Sequence, residues 1–111
     1  MNRNKLLDLF VSNLTNVIVH RVLEKAIDKP EVSKVYTKEG KNSFEIAKSY
    51  RGKINPKDKI LPSHDIEDLR RRIISKAKAE LNLRIGKGYT NINLSLVEEF
   101  VDDYLKELKV I

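Results

Sequence analysis

Residues 63–84 read SHDIEDLRRRIISKAKAELNLR, and the reading of that stretch decides the fold. Ile66, Leu69, Ile73, Ala77 and Leu81 recur at steps of three and four, so they fall on one stripe of an α-helix, which Ile74 widens. Arg71, Arg72, Lys76 and Lys78 leave from the flanks of that stripe. Arg70 projects from within it, where its aliphatic stem can lie on apolar surface while its charge reaches water. Ser63 is placed to cap the helix after Pro62, and Asp65, Glu67 and Asp68 occupy the first turn, where the helix dipole favours negative charge. Glu67 with Arg71, and Asp68 with Arg72, are four apart in the favourable order. Gly86 supplies the stop. A cationic amphipathic helix over about 64–84 is expected, with the rest of the chain packed against it.

Working outward, residues 4–28 carry Leu6, Leu7, Phe10, Val11, Leu14, Val17, Ile18 and Val22 in one broad helical sector. Val19, Leu23 and Ile27 lie on the other side, which implies a central helix covered from both sides or one that pairs with a second copy. The β-branched run at 16–22 also suits a strand. Pro30 closes the element, because it cannot continue a helix and biases Lys29 towards extended geometry. Two readings stand for 32–52. Val32, Val35 and Tyr36 pair with 44–47 as a hairpin across the turn residues Glu39-Gly40-Lys41-Asn42. Alternatively, and preferred, 43–51 is a short helix capped by Asn42, with Glu45 completing a capping box and Gly52 ending it. Residues 52–62 read as a loop held down by Ile54, Ile60 and Leu61. The last helix starts at Ser95, whose S-x-x-E pattern with Glu98 is a capping box. Val97, Phe100, Val101, Tyr104, Leu105 and Leu108 form its apolar face, and Glu98, Glu99, Asp102 and Asp103 its acidic one.

The fold expected is therefore mostly α: a small single helical domain over 1–111, with three long helices (about 4–28, 64–84 and 95–109) and a short helix or β-hairpin insertion. A chain of 111 residues has room for one modest core. It has no cysteine, which excludes disulfides, thiolate metal sites and a cysteine nucleophile. The apolar runs read as too short to cross a bilayer, and no secretory h-region opens the chain. An intracellular, cytoplasmic protein with no membrane association is expected.

Charge carries the functional reading. Of the net +6, residues 29–94 hold sixteen Lys/Arg against eight Asp/Glu, while 95–111 hold two against five. A basic middle suits a polyanion, and an acidic end suits folding back onto that middle. Arg70, Arg71, Arg72, Lys76 and Lys78 are the leading candidates for phosphate contacts, extended by Arg51, Lys53, Lys57, Lys59 and Lys87, with Lys48 and Arg84 nearby. The competing account is a solvated face neutralised by the chain's own carboxylates. Gly86-Lys87-Gly88 is similar to the G-x-G turn of helix–hairpin–helix DNA binders, but the gap of about seven residues to the next helix is too long for that motif. Tyr89 beside it reads as a rim aromatic or as a stacking platform for a base.

His20 and His64 stand outside any HxxxH, HxH or ExxH spacing, so no metal and no cofactor is expected. No catalytic motif surrounds either histidine, and no enzyme activity is expected. Val97, Phe100, Val101, Tyr104 and Leu108 form the candidate partner interface, or else the cap on the domain's own core. The function expected is a small nucleic-acid-binding protein, DNA before RNA and double-stranded DNA first, acting through its phosphates, with action as a homodimer also open. The alternative is a structural or adaptor protein that works by helix–helix association.

Overall fold

The structure, a computed structural model, describes residues 2–55 and 59–111. It contains α1 (Arg3–Ala26), α2 (Pro30–Ile54), α3 (Ser63–Gly86) and α4 (Leu96–Glu107), and no strand among the described residues. The 25-residue α2 replaces the expected short helix or hairpin, whereas α4 has 12 residues and is the short helix.

α2 is continuous because its inward face is spaced for a helix. Tyr36, Gly40, Phe44, Ala47, Arg51 and Ile54 follow one another at three or four residues and all lie buried or half-buried. Pro30 ends one helix and opens the next: it occupies the first turn of α2, where a missing N–H costs nothing. Glu39 to Asn42 are helical rather than a turn, so Asn42 caps nothing, and Gly52 lies inside the last turn instead of ending a helix. Gly40 is buried against α1, where an added Cβ would meet the Cβ of His20 at 3.5 Å, an ordinary contact. Gly40→Ala is therefore expected to stabilise the fold by about 0.5–1 kcal/mol through helix propensity. A fall in the thermal midpoint of that variant would show that the two helices are closer than this.

Two other expected caps are not made. Pro62, not Ser63, stands at the N-cap of α3. Ser95 has helical dihedrals, and its hydroxyl donates to Asn93 Oδ1 at 2.6 Å instead of capping α4. Asn2 does cap α1, its side-chain oxygen accepting from the Lys5 amide at 2.8 Å. At the other end of α3, Gly88 takes the left-handed φ of +98° that turns the chain.

α1 is the hub. The other three helices all pack on it and α3 packs on α4, while α2 approaches the backbone of α1 alone. Ion pairs fix the directions: Arg3 meets Asp65 and Arg72 meets Asp8, so α3 runs parallel to α1. Arg70 meets Asp102 and Lys78 meets Glu98, so α4 runs antiparallel to α3. Phe10, Leu14, Ile18 and Leu23 of α1 are fully buried beside Leu69, Ile73 and Leu81 of α3 and Leu105 of α4. Each such side chain contributes about 1.5–3 kcal/mol by leaving water. Contrary to the reading of its apolar runs, α1 is long and apolar enough to cross a membrane by length and composition. Eleven of its residues are buried within this fold, so its apolar surface is satisfied by the other helices. In the connection before α3, Leu61 is buried and Ile60 is exposed. Val110 is buried at the far end of the chain, its carbonyl accepting from the Leu61 amide at 3.4 Å.

Candidate nucleic-acid interface

The cations of α3 are largely engaged. The Arg70 guanidinium forks onto Asp102, with Nε to Oδ1 at 2.7 Å and Nη2 to Oδ2 at 3.2 Å. That hydrogen bond holds the guanidinium above its usual pKa. Lys78 bonds Glu98, and this contact, ahead of any other cause, holds the Glu98 carboxyl below the usual range. Arg71 bonds Asp68 at 2.6 Å within the helix. Arg72 bonds Asp8 of α1 at 2.6 Å and lies 3.7 Å from Asp68. Lys76 and Lys87 are exposed and have no ion pair among the described residues.

Arg51 is no surface cation. It is 2% exposed, and its guanidinium donates to the carbonyls of Leu108, Lys59, Lys109 and Asn55. It sits on the inward stripe of α2 and ties the end of that helix to the end of α4. Lys53 is exposed, its ammonium 5.5 Å from the ring centre of Tyr50. Lys59 is exposed as well, and Lys57 lies outside the described residues.

The proposed partner face fares similarly. Val97, Phe100, Val101 and Leu108 are buried in the chain's own core, which leaves them no free surface. Tyr104 alone of the five is half-exposed. It faces Phe44 across the gap between α4 and α2, with ring centres 5.6 Å apart and planes at 51°. The two rings stand in a groove of about 580 Å³ floored by Val17, Arg21 and Glu24 of α1. Burial first, then the carboxylates of Glu107, Glu24 and Asp103, hold the Tyr104 phenol above its usual pKa against the opposing Arg21.

His20 lies between the Asn16 carbonyl, 2.6 Å from Nδ1, and Glu39, 2.9 Å from Nε2, while His64 is exposed beside Asp65. Tyr89 lies under the Arg84 guanidinium, 5.9 Å from its ring centre. No group of three or more His, Asp and Glu that could hold a metal occurs among the described residues.

Charge divides unevenly between the halves of the chain. Residues 63–111 hold nine Lys/Arg and nine Asp/Glu, so the whole excess of six lies in 1–62. There the outer layer is α2. Its Lys34, Lys38, Lys41, Lys48 and Lys53 are exposed and have no ion pair among the described residues. Lys34, Lys38 and Lys41 fall in the polar stretch before residue 43, where hairpin and turn signals mask the helical face that they share with Lys48.

No family model, no curated protein and no solved structure matches this chain.

Proposed function

We propose that this chain binds nucleic acid, duplex DNA first, through phosphate contacts from α2 and the loop that follows it rather than from α3. One observation carries this reading: α2 shows five exposed lysines without an ion pair among the described residues and holds three of the six units of net charge, while of the six cations of α3 only Lys76 lacks such a pair. At 1.5 Å per residue, the lysines of α2 from Lys34 to Lys53 span roughly 28 Å, several phosphates along a backbone. The groups are lysines, which meet phosphate as point charges and lack the planar fork that reads guanine. Binding is therefore to the backbone and indifferent to base sequence.

A salt titration tests this. The slope of log affinity against log salt for a short DNA duplex is expected near −4, from four or five phosphate contacts at about −0.9 each. Single strands bind with a shallower slope. No measurable binding to duplex DNA, single-stranded DNA or RNA at low salt would remove the reading.

A second reading, association through helices, is favoured by the half-exposed Phe44 and Tyr104 in the open groove between α2 and α4.

A further inference from the structure

We propose that a second copy of this chain closes the groove between α2 and α4, related to the first by a two-fold axis running along the groove. The walls do not touch at the backbone, and α1 alone forms the floor. They differ in charge. The α4 wall carries Glu107, with Asp103 one turn before it on the same flank, neither with an ion pair among the described residues. The α2 wall carries Lys41, with Lys48 seven residues on along the same flank, also without ion pairs. Glu45 lies between these lysines, and the cation and carboxylate on the floor, Arg21 and Glu24, pair with each other at 3.4 Å.

Such a surface is its own complement under one symmetry. A two-fold axis lying along the groove exchanges left and right walls, so each α2 faces the other copy's α4. An axis across the groove would set lysines on lysines and carboxylates on carboxylates. The register also fits. Phe44 meets Tyr104, and further along Arg51 meets the Leu108 carbonyl, so α2 and α4 run parallel side by side. Lys41 is one turn before Phe44, and Asp103 adjoins Tyr104. Lys48 is one turn after Phe44, and Glu107 is one turn after Tyr104. Rotation about the groove therefore brings Lys41 to the second copy's Asp103 and Lys48 to its Glu107, with the four rings gathered around the axis at one level.

The chemistry of any other occupant would have to repeat this pattern of one basic and one acidic edge flanking aromatics, which the chain already owns. A stable interface takes about 800 Å² from each partner. One long side of a molecule measuring 41 × 23 × 22 Å supplies that area. The association takes Lys41 and Lys48 from the lysines offered to phosphate and leaves Lys34, Lys38 and Lys53, so the two readings share two residues and are separated by measuring mass without nucleic acid.

The mass in solution, free of nucleic acid, is the test. Sedimentation equilibrium is expected to give twice the 12.9 kDa of the chain at high concentration, dissociating on dilution. Lys41→Glu and Asp103→Lys should each weaken the dimer by about tenfold or more, and the double variant should recover most of the loss, since the pair is then merely swapped. Phe44→Ala, which changes no charge, should also weaken it. Circular dichroism of each variant checks that the helices remain. A mass of 12.9 kDa at every concentration overturns the proposal. So does a dimer that neither charge variant weakens, or one that the double variant fails to recover. If the chain is monomeric yet binds duplex DNA with a steep salt slope, the dimer is lost and the phosphate reading stands.

Discussion

Arg51→Ala is expected to lower the thermal midpoint by about 10–15 °C, a loss of about 3 kcal/mol. The guanidinium is almost wholly buried, with Nε 3.0 Å from the Leu108 carbonyl and Nη2 2.7 Å and 2.8 Å from those of Lys59 and Lys109. Nη1 lies 3.4 Å from the carbonyl of Asn55, the residue that closes α2. Two of these acceptors belong to helix C-caps, Asn55 and Leu108, where carbonyls lack partners within their own helix and the dipole favours a cation. Lys109, beside them, has a left-handed φ of 59°. Truncating the side chain leaves carbonyls facing protein without a donor, at about 1–3 kcal/mol for each one that water does not reach. Arg51→Met separates the causes, because it keeps most of the volume and none of the donors. It should lose nearly as much as Ala. Arg51→Lys restores charge but not the planar fork, and should recover only about 1 kcal/mol. Melting followed by circular dichroism reads all three. A midpoint for Arg51→Met within about 2 °C of the parent would mean that these hydrogen bonds contribute little.

The same residue explains what the sequence hid. The stripe of α3 was legible because Leu69, Ile73, Ala77 and Leu81 are all apolar and all buried. The stripe of α2 has the same spacing, but two of its members are Gly40 and Arg51, which read as a turn residue and a surface cation. Both are buried by contacts made elsewhere: Gly40 beside His20 of α1, and Arg51 under carbonyls from the end of α4. Local pattern cannot report such partners. The hub role of α1 was legible, since apolar residues on both sides of one helix need cover on both sides. The fate of the α3 cations was legible only as two alternatives. Arg70 and Asp102 are separated by 32 residues, and Lys78 and Glu98 by 20. Only the antiparallel packing of α3 and α4 brings each pair together. Local signals at Ser63 and Ser95 pointed to caps that the chain does not make: Pro62 takes the N-cap position of α3, and the Ser95 hydroxyl donates to Asn93 Oδ1 instead of accepting from the first turn of α4.

Two triple reversals separate placement of charge from its amount. Lys38, Lys48 and Lys53 changed to Glu, and Arg71, Arg72 and Lys76 changed to Glu, each remove six units of charge and reverse the balance to zero. If net charge alone drew DNA to this chain, the two variants would bind equally poorly. On the proposed reading they differ. The α2 lysines have no ion pair among the described residues, so each reversal deletes a phosphate contact and adds a repulsion. Affinity for duplex DNA is expected to fall by about 10³-fold at moderate salt, with the salt slope flattened by about 3. Arg71 and Arg72 already face Asp68 and Asp8 at 2.6 Å, so little of their charge is offered outward. That variant should lose less affinity, about tenfold through the long-range field. Its larger cost should appear in folding, because Arg72→Glu sets a third carboxylate against Asp8 and Asp68 where a cation stood, a loss of about 1 kcal/mol. Binding curves and melts on the same two samples decide the matter. Equal loss of affinity in both would return the interaction to undirected charge, and a greater loss in the α3 variant would return the interface to α3.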